Sequence, residues 1–284
     1  MKRADFIRNG LFASSLLLGS TFTSQEKEIE DNNHVGFNHI PNTNSNVMKN
    51  AVLHKADSRG IADHGWLKSF HTFSFANYYN PDRVNFGVLR VLNDDTVSSG
   101  MGFGTHPHEN MEIISIPLEG DLEHKDSMGN TTVIKHGDIQ VMSAGTGVMH
   151  SEYNKNKDSL VKFLQIWVFP NKRNVTPRYD QITLNVEDRH NKLQQILSPN
   201  ADDTGVWIHQ NAWFHMGNFD KGFTTDYKIH DTKNGLYVFV LKGNVTVGEQ
   251  NLETRDGYGI WDFDSVKITA DSDAELLLME VPMY

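Results

Sequence analysis

From Ala51 to the end of the chain, apolar residues come in short runs that are repeatedly interrupted by glycine, asparagine and aspartate. Strands need only five or six residues, whereas a buried helix needs ten or more with a 3.6-residue repeat, so this punctuation points to an all-β protein. The runs that read as strands are Phe86–Leu92, Met111–Leu118, Thr132–Ile134, Ile139–Met142, Leu160–Phe169, Leu236–Leu241, Asn244–Val247, Gly259–Trp261 and Glu275–Met279. Helical periodicity is scarce, with one short turn expected at 191–197. The strand groups fall on either side of a polar connection, Pro170–Gly205, which holds Pro170, Pro177 and Pro199. At about 150 residues per domain, 284 residues accommodate two such units. The expected division is a first domain over 51–175, a surface linker over 176–205 and a second domain over 206–284.

The chain before Ala51 is different. Residues 1–24 have a basic start (Lys2, Arg3, Arg8), an apolar stretch from Leu11 to Leu18, then the small residues Gly19 and Ser20. That is the order of an export signal, and the apolar run is far short of the roughly 20 residues that span a bilayer. The opening also resembles a twin-arginine signal, although no register gives both paired arginines and the expected aromatic spacing. Export to the periplasm is therefore expected, with no membrane anchor after cleavage. Residues 25–50 are acidic and then rich in asparagine, as in a flexible leader.

Composition narrows the chemistry. There is no cysteine, so disulfides, thiolate metal sites, iron–sulfur clusters, lipid attachment at a cysteine and cysteine nucleophiles are all excluded. A net charge of −10 is the wrong sign for neutralising a phosphate backbone, so nucleic acid is not an expected partner. Any metal must be held by histidine and carboxylate.

Two segments offer such ligands. His106 and His108 are two apart in a glycine-rich stretch, Gly100 to Glu112, just before an expected strand; some forty residues on, His150 and Glu152 repeat the spacing. In extended chain, residues i and i+2 share a face, so each pair can present two donors to one ion. Three imidazoles and a carboxylate suit iron, manganese, cobalt, nickel, copper or zinc, and are too nitrogen-rich for calcium or magnesium. Glu112 is a second candidate carboxylate, ranked after Glu152 and expected near the site. Of the early aromatics Trp66, Phe70, Phe73, Phe75, Phe86 and Phe103, most are expected in the core, and Phe103 is the first choice for the wall of a pocket. His124 and His71 are weaker candidates for polar pocket residues. Three tempting motifs carry no chemistry. Pro107 and the β-rich sequence after it argue against a zinc-protease helix at His108–Glu112. No helix follows Gly100, Gly102 and Gly104 to bind phosphate, and no nucleophile elbow is present.

These residues resemble the cupin superfamily. Gly100, His106, His108 and Glu112 fit its first motif, with Gly120 one residue late. Gly137, Gly145, His150 and Asn154 fit its second, with Ser143 in place of proline and two extra residues before the histidine. More narrowly, HGWLKSFHTFSFANYYNP, GFGTHPHENMEI, LEHKDSMGN, QVMSAGTGVMHSEYN and the late GYGIWD resemble the pirin family over Ala51–Tyr284. The resemblance implies a bicupin of two jelly-roll β-barrels. The first would hold one divalent metal, most often iron, through His106, His108, His150 and Glu152; the second, without a His-x-His pair, would be metal-free. Bacterial members are described as quercetin 2,3-dioxygenases, which open a flavonol ring with molecular oxygen and release carbon monoxide. A small aromatic substrate, dioxygen, a monomeric chain and Glu152 as the catalytic base follow as expectations. The other readings are a metal-dependent regulatory protein without turnover, and a cupin acting on another phenolic or a sugar.

Overall fold

A computed structural model describes residues 50–283. The expected export segment and nearly all of the leader lie outside the described residues. Within them the chain forms twenty-two strands and two short 3-10 turns, and no helix is long and apolar enough to cross a membrane.

Each half is a jelly-roll built of a seven-stranded and a four-stranded sheet, and the hydrogen bonding does not run continuously round a closed barrel. In the first half the large sheet runs, in spatial order, Arg178–Thr183, Asp138–Ser143, Glu112–Glu119, Val161–Val168, Leu89–Val97, Leu67–His71, Gly60–Asp63. The facing small sheet is Gly102–His108, Val148–Asn154, Leu122–Asp126, Thr131–Ile134. The second half repeats this plan, with Asn234–Lys242 and Ala274–Pro282 central in its large sheet.

Strand alternation divides the apolar residues between two jobs. Along Val161–Val168, the residues Leu164, Ile166 and Val168 face outward into a large core that also takes Phe214, Tyr237, Phe239, Leu277 and Met279 from the second half. That core lies between the two seven-stranded sheets and joins the halves. Phe163, Gln165 and Trp167 alternate with these residues and so face the interior of the first jelly-roll. In the second half, Val238, Val240, Leu276 and Leu278 fill the interior.

The segment 176–205, expected as a linker on the surface, is woven into both halves. Arg178–Thr183 pairs with Asp138–Ser143, whereas Gln194–Ser198 pairs with Trp213–Phe219. The helical turn expected at 191–197 is replaced by this second strand, and the 3-10 turn lies earlier, at Val186–Arg189. Its apolar residues Ile196 and Leu197 are buried in the core between the halves, and this packing overrides a spacing that suits a helix. At the other end, Ala51–His54 belongs to the large sheet of the second half, paired with Gly257–Trp261, although in sequence it opens the first.

Candidate metal centre

The two histidine-bearing segments are neighbouring strands. Gly102–His108 pairs antiparallel with Val148–Asn154, setting His106 directly opposite His150 and His108 opposite Val148. Gly102–His108 is itself a strand at the edge of its sheet, which is where a strand tolerates Pro107. The register slips between His150 and Glu152, so that Gly104 and Thr105 together oppose Ser151. This bulge brings Phe103 and His106, three residues apart, to the same cavity. The two strands also lie close: a Cβ on Gly102 would stand 2.2 Å from the carbonyl oxygen of Glu152.

The imidazoles of His106, His108 and His150 converge, with ring centroids 4.4 to 4.9 Å apart and possible ligand atoms all within 4.8 Å of one another. All three are buried. Burial holds their pKa values down, to about 3 for His108, so they are neutral and can donate lone pairs. Nδ1 of His106 lies 2.8 Å from the carbonyl oxygen of Gly104. A carbonyl only accepts, so Nδ1 carries the proton and Nε2 is left free as a ligand. Neither ring nitrogen of His150 has a hydrogen-bond partner. Such orphaned buried nitrogens are costly unless something coordinates them, and the donor set fits a divalent transition ion.

Glu152 is buried and lines the same cavity as His106 and His108. The hydroxyl of Ser115 donates to Oε1 at 3.0 Å and Nε2 of Gln165 donates to Oε2 at 2.7 Å. Ser115 and Gln165 are paired in register and so share the inner face of the large sheet. Burial raises the Glu152 pKa to about 7, against the pull of these two donors. Glu152 forms a second cluster of possible ligands with His124 and His150.

A family model for pirin matches residues 53–168, and one for the quercetinase C-terminal cupin domain matches 195–281. The chain belongs to the pirin family. It is 45% identical to the quercetin 2,3-dioxygenase of Escherichia coli K12 over 230 residues, which cover 81% of this chain and 98% of the relative. It is 40% identical to a pirin-like protein of Caulobacter vibrioides, covering 79% and 96%. The crystal structure of the bacterial pirin YhhW from Escherichia coli in complex with nickel(II) superposes with a TM-score of 0.78 at 44% identity, covering 82% of this chain and all of that one.

In this pirin the other expected site residues take different places. Phe103 lines the cavity, as does Phe75, another of the six early aromatics of which most were expected in the core. His124 is fully buried behind the cluster; its ring lies 5.3 Å from that of His150 and its Nε2 is 3.0 Å from Asp126. It is not part of the cavity lining. His71 is also buried outside the lining, with its ring edge-on to Phe75 at 5.2 Å. Glu112 is a correction. Its partners across the sheet are Val168 and Ser143, which puts it on the outer face with Ile114 and Ile116, turned away from the imidazoles. There it accepts the Ser143 hydroxyl at 2.6 Å, close to Arg178 and the backbone of His209. Sequence reasoning also missed Asp95, Ser69, Asn93 and Gln165, all on the cavity wall. Their only sequence signal is polarity at inward positions of otherwise apolar strands.

Proposed function

We propose that the protein is a metal-dependent dioxygenase that opens the ring of a flavonol such as quercetin with molecular oxygen. The observation that carries this is the cluster of three neutral imidazoles, His106, His108 and His150, two of which line a cavity together with Glu152 and the apolar walls Leu67, Phe75, Phe103 and Trp167, a setting for a flat aromatic molecule. The name of the relative from Escherichia coli and the nickel bound in YhhW support the same reading.

His106, His108, His150 and Glu152 would hold one divalent ion, with iron(II) favoured and manganese, cobalt, nickel, copper or zinc also compatible with nitrogen and oxygen donors. Bound there, the ion would supply Lewis acidity that favours the ionised 3-hydroxyl of a flavonol. Glu152 takes the hydroxyl proton: its carboxylate is on the cavity wall beside His106 and His108, within reach of a ligand bound there. Ser115 and Gln165 fix the carboxylate plane during that transfer. The aromatic walls exclude water from the reacting ring.

The test is metal content and oxygen-dependent loss of quercetin absorbance on one protein sample. About one transition ion per chain, with turnover abolished by chelation and by His106→Ala, is the expected result. A fully metallated protein without turnover would point instead to a binding or regulatory role, or to another phenolic substrate.

Residues 1–24 would direct export to the periplasm, on the strength of their basic start and the apolar stretch Leu11–Leu18; cell fractionation, with and without the segment, tests this. The protein would act as a monomer. Light scattering checks that state.

A further inference from the structure

A second carboxyl group stands on the wall of the same cavity. Asp95 is paired in register with Ser69 on one side and Phe163 on the other, which turns its side chain to the inner face of the large sheet. It lines the cavity together with His106, His108 and Glu152, and it is only 4% exposed. The Ser69 hydroxyl donates to one of its oxygens. The other oxygen has no hydrogen-bond partner among the described residues.

The surroundings make this an unusual carboxyl. The cavity lining contains no lysine or arginine, and the charged groups that act on Asp95 are Asp94 and Glu152, both of the same sign. Buried carboxyl groups are ordinarily matched by a cation or by several donors, whereas Asp95 has one hydroxyl. It belongs to neither cluster of possible metal ligands found among the described residues, so an ion at the histidines does not account for it. What it lacks is a hydrogen-bond donor arriving from the cavity.

Resting on the functional reading above, we propose that Asp95, oriented by Ser69, accepts a hydrogen bond from a substrate hydroxyl other than the one at the metal, so that the cavity selects polyhydroxylated flavonols. The neighbouring aromatic side chains supply area for the ring system, with Phe75 edge-on to Trp167 at 5.4 Å and Phe103 edge-on to Trp66 at 5.5 Å. They hold any flavonol alike; Asp95 adds the discrimination. A buried acceptor left without its donor corresponds to about a tenfold change in affinity.

The test compares two ligands on metal-loaded protein under nitrogen, with binding followed by tryptophan fluorescence. Quercetin carries several hydroxyls, whereas 3-hydroxyflavone carries only the one expected at the metal. Asp95→Ala is expected to weaken quercetin binding about tenfold while leaving 3-hydroxyflavone binding and metal content unchanged. Asp95→Asn, which keeps the shape and an acceptor, should recover part of the loss. If Asp95→Ala does not fold, Asp95→Asn decides alone by a loss confined to quercetin. Equal loss for both ligands, or no loss for either, overturns this role and leaves the dioxygenase reading intact. Wild-type protein that binds neither ligand overturns both.

Discussion

Both oxygens of Glu152 are engaged by neutral donors, Ser115 and Gln165, so the carboxylate has one orientation before any ion arrives. Groups that orient a ligand in this way are typically worth about 10- to 100-fold in metal affinity. Gln165→Leu should therefore weaken metal binding by about tenfold without unfolding the protein, as measured by competition with a chelating dye. Glu112 makes a different prediction. Burial raises its folded pKa to about 7, above the unfolded value near 4.5. Between those values the folded state retains a proton that the unfolded chain has released, so stability falls as pH rises from about 4.5 to 7. Glu112→Gln should remove that part of the pH dependence, and denaturant midpoints at pH 5 and pH 8 should lie closer together than in the wild type. The contrast between these glutamates marks what could be read from sequence. The spacing of His106, His108, His150 and Glu152 was legible because a two-residue repeat shares a face within one strand. Glu112 was misplaced because its direction depends on register with Val168 and Ser143, a pairing over long range that leaves no local trace.

The loop from Ala144 to Gly147 sets how the strand of His150 enters its sheet. Gly145 adopts a φ of +47°, and a Cβ there would meet the carbonyl oxygen of Val175 at 2.0 Å. The loop is pinned on both sides, since the carbonyl of Gly145 accepts from Asn110 and the amide of Thr146 donates to Val175. Gly145→Ala should cost about 2–4 kcal/mol by combining an unfavourable φ with overpacking, measured by denaturant unfolding, and should reduce metal retention with it. Most central strands were visible in the sequence, because they are continuous apolar runs buried on both faces. Shorter or more polar strands were not. Gly102–His108 carries glycine, histidine and proline, and is a strand because Val148–Asn154 holds it from one side. Gln194–Ser198 has a spacing that also suits a helix and is settled by the contacts of Ile196 and Leu197 with the opposing sheet.

The two seven-stranded sheets share one core, and Tyr237 lies at its centre, fully buried, with Phe73 and Phe86 at 5.6 and 5.4 Å and its hydroxyl 2.8 Å from Nδ1 of His54. Tyr237→Ala should destabilise both halves together by about 3–5 kcal/mol, seen in calorimetry as one transition moving down in temperature. A separate shift of one half would show that the halves unfold independently. Two units of like architecture were evident from sequence, but their interweaving was not: nothing local to Ala51–His54 tells that it pairs with Gly257–Trp261. That pairing has a consequence for synthesis. The strand reaches the ribosome exit first among those described, yet its partner follows about 200 residues later, a closure whose entropic cost must be met before the contact forms. The second half therefore recruits its edge strand from the earliest made of the described strands, and a chain released before residue 261 leaves that strand without its full partner.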